Sequence, residues 1–194
     1  VTSFEYDRNN RLVKEIRPLG EETNYAYDAA GNLIQKIDAK NQKTEYVYDD
    51  AGRLTDIKYY ASAGDTTPAK TVIFAYDKVG NLTSYDDGVT SAQYGYDDVY
   101  RKISDTVDYG TFSLSNTYTY NKNGTKKTFT GSDNVTYGYL YDNNNQLAGV
   151  QMPDSGFITV NAYHWNRPAN MTLPGGSTKE YDYDPLMRIK QITA

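Results

Sequence analysis

Few residues in this chain could do covalent chemistry, and those few are poorly placed for it. His164 is the only histidine and there is no cysteine, so a histidine pair, a thiolate metal site and a disulfide are all excluded. A catalytic triad would have to set His164 beside both a nucleophile and an acid. Its simpler role is to fill the acidic slot of a degenerate turn. Carboxylates are more numerous, but Asp7, Asp28, Asp49, Asp77, Asp97, Asp142 and Asp184 recur once per repeated unit, which is the habit of a structural residue. Glycoside hydrolysis would need one unique pair of carboxylates about 5 Å or 6.5–9.5 Å apart, and no pair stands out. Asp86-Asp87 and Asp97-Asp98 could attract calcium, yet neither lies in a loop with alternating oxygen ligands. The glycines fall at turns rather than in a phosphate-binding loop. The reading is a non-enzymatic chain with no catalytic, cofactor or metal residues.

The side chains that could bind something are aromatic. There are 21 Tyr against 5 Phe and 1 Trp. Tyr-x-Tyr pairs set rings on one face of a strand, where sugar rings could dock. Tyr25, Tyr46, Tyr94, Tyr118 and Trp165 are the candidate glycan-contacting aromatics. The same rings also suit a half-buried sheet face that has no ligand. For the lone Trp165, packing on a neighbouring hairpin is the simpler role.

These residues sit on a repeat that dominates the chain. Tyr27-Asp28-Ala29-Ala30-Gly31-Asn32-Leu33 returns as Tyr48-Asp49-Asp50-Ala51-Gly52-Arg53-Leu54 and as Tyr76-Asp77-Lys78-Val79-Gly80-Asn81-Leu82. Weaker copies begin at Tyr6, Tyr96, Tyr120, Tyr141, Tyr163 and Tyr183, with anchors 20 to 28 residues apart. Self-similarity at such a period is the mark of a repeat architecture.

Each copy spells a β-hairpin. Alternating stretches such as Thr23-x-Tyr25-x-Tyr27 place their side chains on one strand face. Asp28 to Gly31 fits a type I turn in which the Asp carboxylate caps backbone N–H groups and Gly takes positive φ in a bulge. Asn10 and Asn145 fill the Gly slot in two copies, and Asn is the next most tolerant residue. Returning strands put Leu33 and Ile37, or Leu12 and Ile16, on a common face. Tyr100 and Met187 occupy the Gly slot where a bulky residue is strained, and the Tyr163 copy lacks the Asp. All three turns are expected to adopt another geometry. Longer connections are expected near residues 60–70 and 108–115, and the whole of 1–194 is read as one array of about nine repeats.

Nine hairpins give about eighteen strands, or on the order of 85 Å of sheet. Sheets of that width usually curl. The fold class expected is all-β, with tandem antiparallel hairpins forming a wide curved or spiralling sheet. Its unpaired edges would allow edge-to-edge self-association. The net charge of −5, with Lys and Arg scattered singly, argues against nucleic acid as partner. No apolar run approaches the roughly 18–20 residues of a membrane span. No signal peptide is visible at Val1, and the chain opens mid-pattern, as an excised stretch of a longer array would.

With its Tyr-Asp-x-x-Gly-[Asn/Arg]-Leu copies the chain resembles the YD (or RHS) repeats. These occur in the shells of bacterial Rhs and wall-associated toxins, in the C component of Tc toxin complexes, and in teneurins. The resemblance covers essentially the whole chain. It implies a long sheet that spirals into a cocoon, enclosing a C-terminal toxin domain in the bacterial members and serving adhesion in teneurins. It also implies a bacterial protein that is secreted or at the cell surface, with neighbouring repeats or a toxin domain as partners. Family catalytic residues lie outside the repeats, so none transfers. Asp184-Pro185 reads as the ordinary start of the last turn.

Overall fold

The computed structural model describes residues 1–194. It contains strands and turns and no helix, and the chain divides into two compact units.

The first unit comprises Val1–Tyr94 and Val107–Ser113. It holds β1 (Ser3–Tyr6), β2 (Leu12–Ile16), β3 (Glu22–Tyr27), β4 (Leu33–Ile37), β5 (Lys43–Tyr48), β6 (Leu54–Tyr60), β7 (Lys70–Tyr76) and β8 (Leu82–Asp86). The residues of β9 (Ser91–Tyr96) and β10 (Lys102–Asp108) are divided between the two units. The second unit comprises Gly95–Thr106 and Leu114–Ala194. It holds nearly all of β11 (Ser113–Tyr120), then β12 (Lys126–Thr130), β13 (Thr136–Tyr141), β14 (Leu147–Gln151), β15 (Phe157–His164), β16 (Arg167–Thr172), β17 (Thr178–Tyr183) and β18 (Ile189–Thr193).

Within each unit every strand pairs antiparallel with the next one in sequence, β1 with β2 and so on through β8, and likewise β11 through β18. The tandem-hairpin, all-β reading of the sequence is therefore the observed architecture.

The register is set at the anchor tyrosines. Tyr27 lies opposite Leu33 while Ala26 lies opposite Gln35, so the extra residue Ile34 is squeezed out as a bulge. The same slip falls at Tyr6, Tyr48, Tyr76, Tyr120, Tyr141 and Tyr183. A bulge strengthens local twist and fixes which face each side chain takes. A second turn closes the far end of each hairpin, and it often uses the same chemistry. Asp38 accepts the N–H groups of Lys40 and Gln42 on Oδ1, and Asn41 takes φ 60°.

Neither unit has a conventional core. No side chain is fully buried, and among the hydrophobic residues only Tyr60 and Ala92 are buried at all. Leu12, Leu33, Leu54 and Ile57 on the strands are half-buried, whereas Ile73 and Leu140 are more than half exposed. Stability must come instead from many cross-strand pairs worth about 0.2–1 kcal/mol each, from the turns, and from contacts between one repeat and the next.

Residues 61–69 between β6 and β7 form the longest connection, and they are tied back. Asn41 Nδ2 donates to Ser62 Oγ at 3.3 Å and Lys43 Nζ donates to the Asp65 carbonyl at 3.1 Å. Around 108–115 the connection is residues 109–112, because β10 runs to Asp108 and β11 starts at Ser113. The short turn between them carries a stacked Tyr109–Phe112 pair, with ring centroids 4.9 Å apart.

Candidate functional site

The repeated Asp organises its turn through both oxygens. In the second repeat Asp28 Oδ1 accepts the Asn32 N–H at 2.8 Å and Oδ2 accepts Asn32 Nδ2 at 2.9 Å. In the third, Asp49 Oδ1 accepts N–H groups from Ala51 and Arg53, and Oδ2 accepts Arg53 Nε at 2.7 Å. Asp77 repeats the Asn version with Asn81. These bonds favour the charged carboxylate. The Asn32 amide holds Asp28 below the ordinary carboxylate range, and the Arg53 guanidinium does the same for Asp49. Gly31, Gly52 and Gly80 take φ of 97°, 75° and 99°.

Two copies depart from expectation. Tyr100 and Met187, in the glycine slot, keep the same left-handed turn, with φ of 66° and 61°. A left-handed non-glycine residue costs roughly 1–2 kcal/mol. Both turns carry an Arg four residues after the Asp, and each Arg Nε reaches its Asp at 2.7 Å. That charge-assisted pair, together with the N–H bonds to the carboxylate, offsets the strain. The Tyr163 copy does use another geometry, a two-residue turn between His164 and Arg167 with Trp165 at φ 59°.

The anchor tyrosine joins one repeat to the previous one. Tyr27 donates its hydroxyl to the Leu12 carbonyl, Tyr48 to Leu33 and Tyr76 to Leu54, at 2.9, 2.9 and 3.0 Å. In the second unit Tyr120 donates to Lys102, Tyr163 to Leu147 and Tyr183 to Pro168. The acceptor opens the previous repeat's returning strand, except Pro168, which is the second residue of β16. Leu33 and Leu54 therefore serve through their carbonyls as well as their side chains. The sequence carried a signal for this latch that went unread. All nine anchors are Tyr and never Phe, although packing alone would accept either.

Arginine adds a second clasp. Arg11, held by Asp7, reaches forward to the Asp28 carbonyl at 3.2 Å and lies 4.8 Å from the Tyr27 ring centroid. Arg53 reaches the Asp77 carbonyl at 2.8 Å and lies 4.9 Å from the Tyr76 ring. Arg101 does the same with the Asn121 carbonyl and Tyr120. Asn32 and Asn81 bond only to their own Asp, because the shorter amide cannot span to the next turn.

The candidate glycan-contacting aromatics are dispersed. Tyr25, Tyr46, Tyr94 and Tyr118 are half-buried on the strands. Tyr118 is further occupied. Its hydroxyl donates to the buried Asp105 at 2.8 Å, and its ring neighbours Phe129 at 5.6 Å. Trp165 does not pack on a neighbouring hairpin: it is 84% exposed at its turn tip, because the tight turn projects its side chain away from the sheet. Gln146 Nε2 holds the Trp165 carbonyl at 3.0 Å, leaving the indole free. His164 stacks loosely on Tyr183, with centroids 6.3 Å apart.

An apolar concavity lies in the first unit. Tyr59, Val72, Phe74 and Tyr85 line an open hollow of about 560 Å³. Lys70 and Asp87 bridge at 2.9 Å on its border. Backbone N–H bonds from Thr90, and then the Lys70 ammonium, lower the Asp87 pKa to about 2. The hollow offers aromatic and aliphatic contact with a fixed ion pair, and no nucleophile paired with a base. A side chain or a sugar ring could lodge there.

An RHS Repeat family model matches residues 6–43 and again 27–67. No curated protein matches the chain. Among solved structures, TcdB2-TccC3-Cdc42 matches with a TM-score of 0.61 and 19% identity, over 97% of this chain and 12% of that one. TcdB2-TccC3-TEV matches with a TM-score of 0.55 and 18% identity, over 97% and 13%. The Photorhabdus luminescens Tc holotoxin pore matches with a TM-score of 0.50 and 18% identity, over 98% and 13%. The chain thus spans only about an eighth of the length of these chains, and at such identities the likeness is one of fold. The RHS Repeat match covers residues 6–67, and the Tyr-Asp turn recurs beyond it to Tyr183, so the chain is similar to the YD/RHS repeats along its length.

Proposed function

We propose that this chain is a structural, non-catalytic segment of a YD-repeat shell, one that walls off a partner polypeptide in a secreted bacterial toxin. The observation that carries the reading is the join between repeats. Within each unit anchor tyrosines tie their hairpins to the preceding ones, as Tyr48 does at the Leu33 carbonyl and Tyr163 at the Leu147 carbonyl, so each unit acts as a strip of wall. The strip has one layer and leaves half-covered apolar side chains available to a partner. The hollow lined by Val72, Phe74 and Tyr85 is where a partner's side chain would lodge. One solved structure of similar fold is a Tc holotoxin pore, which supports a toxin component as the enclosed partner. Edge-to-edge association of strips belongs to the same reading.

The test is binding of a permanently unfolded, reduced polypeptide to the folded chain, followed by fluorescence anisotropy. A containing wall holds it, and Phe74→Ser weakens the hold. Failure of the folded chain to bind any such polypeptide would remove the containment reading.

One observation favours a second reading, adhesion to carbohydrate: the 84% exposure of Trp165. A panel of glycans and cell-wall polysaccharides, read by Trp165 emission and by pull-down, decides it. Saturable binding lost in Trp165→Ala or in a Tyr25→Ala, Tyr46→Ala double variant that still folds would make the chain an adhesion module.

A further inference from the structure

Among the carboxylates only Asp105 is buried, at 7% exposure. It lies on β10, within the second unit, and three polar groups converge on it. Lys102 Nζ bridges to Asp105 Oδ1 at 2.8 Å, and the Tyr118 hydroxyl donates to the same oxygen at 2.8 Å. Asn116 on β11 donates its Nδ2 to Asp105 Oδ2 at 2.8 Å. One carboxylate thus holds an amine on one oxygen and a carboxamide on the other.

The surroundings are aromatic and doubly cationic. Lys102 Nζ lies 5.1 Å from the Tyr118 ring centroid, and the Phe129 ring neighbours that of Tyr118 at 5.6 Å. Lys126 Nζ lies 5.0 Å from the same Tyr118 centroid. A second ammonium sharing the ring disfavours the charged form of the first, and so favours a neutral, nucleophilic amine. Burial pushes the Asp105 carboxyl up, but bonds from Lys102, Asn116 and Tyr118 more than reverse this and hold it below the usual carboxylate range. Asp105 therefore rests as a base in contact with the amine that must lose a proton. A similar trio in the first unit lacks the third part. Glu45 holds Lys43 and the Tyr60 hydroxyl, with no carboxamide bonded to it.

We infer that Lys102 and Asn116 become joined by an isopeptide bond, with Asp105 carrying the protons. Asp105 accepts a proton from the Lys102 ammonium, and the flexible end of Lys102 swings from Oδ1 toward Asn116 Cγ. The Nζ–Cγ bond forms and the Cγ–Nδ2 bond breaks. Asp105 hands its proton to the departing nitrogen, which leaves as ammonia. A second proton, shed by Nζ as the amide forms, turns that ammonia into ammonium. Charge is conserved, no oxidant or co-reactant is consumed, and Asp105 ends as the carboxylate it began. The step occurs once per chain, so it is a self-modification without turnover, and holding both groups on one carboxylate supplies the proximity it needs. Its product ties β10 to β11 covalently.

Intact-mass spectrometry of the folded chain is the test. After prolonged incubation the mass should lie one ammonia below that of the sequence. Trypsin should leave Lys102 uncut, and the peptide from Lys102 to Lys122 should carry the loss and give no fragments between Lys102 and Asn116. Trypsin should still cut after Lys43. Lys102→Arg keeps the cation but removes the nucleophile, and Asp105→Asn keeps the shape but removes the base. Both should show the full mass, with circular dichroism verifying that they fold. Cyclisation of Asn116 onto its own backbone would also release ammonia, but it would leave Lys102 open to trypsin. Full mass with ordinary cleavage after Lys102 in the folded chain would overturn the inference, and so would an ammonia loss that persists in Lys102→Arg.

Discussion

Tyr48 donates its phenolic hydroxyl to the Leu33 carbonyl at 2.9 Å, and so binds the third repeat to the second. Replacing Tyr48 with Phe keeps the ring and removes only this bond, leaving the carbonyl without its donor. The expected cost is about 1 kcal/mol, or a fall in melting temperature of roughly 2–4 °C for a chain of this size. Tyr59→Phe is the control: Tyr59 is 41% exposed and holds no such latch, so its melting curve should be unchanged. Thermal unfolding followed by circular dichroism compares the two.

Arg53 is held by Asp49 and reaches the Asp77 carbonyl while covering the Tyr76 ring. Lysine cannot fork to two acceptors and cover a ring at once. Arg53→Lys should therefore lose most of what Arg53→Ala loses, about 1–2 kcal/mol. Lys36→Ala, which touches no latch, should stay within about 0.5 kcal/mol. Urea midpoints of the three variants give the ranking.

Gly52 has φ 75° and open space where a Cβ would stand. Any cost of substitution there is backbone strain rather than a clash. Gly52→Val should lose about 1–2 kcal/mol or more. Gly52→Asn should lose distinctly less, since Asn visits this region readily and already does so at Asn10 and Asn145. Equal losses in denaturation would show that the turn does not depend on its left-handed residue.

The response to acid follows from the turn carboxylates. Asp28, Asp49 and Asp77 sit below the ordinary value of 3.8, and Asp87 falls to about 2. A carboxyl with a depressed pKa in the folded state binds fewer protons than in the unfolded chain. Its contribution is complete above the unfolded value and is lost as pH falls through the folded one. Stability should hold down to about pH 4 and fall from there toward about pH 2. At the alkaline end the sign reverses. Burial raises the pKa of Tyr46, Tyr48 and Tyr163 above 10.0, so their contribution holds below pH 10 and is lost as pH rises through the folded values. Melting temperature measured across both ranges tests this, and added Asp28→Asn and Asp49→Asn substitutions should flatten the acid limb.

Much of this protein was legible before its structure. Alternating Thr-x-Tyr-x-Tyr stretches, Asp at the turn start and Gly or Asn three residues on are local instructions. A two-residue period, an Asx cap and a positive φ are each specified within a few neighbouring residues. Repetition of that unit announced the hairpin array and the family. The outcome at Tyr100 and Met187 was not local in this sense. Propensity argues against their conformation, and the Arg–Asp pair that tolerates it depends on a side chain meeting a carboxylate across the turn.

The sequence by itself determined the strands, the turns and their order, because those depend on residues within reach of one another along the chain. The tertiary structure decided what joins one repeat to the next. Tyr27 meets Leu12 from 15 residues away, and Arg53 meets Asp77 from 24. These contacts exist only once sheet registry has brought the chains side by side, and guanidinium length then separates Arg clasps from Asn ones. It also decided that Trp165 points outward, since a two-residue turn leaves an indole no neighbouring surface on which to pack.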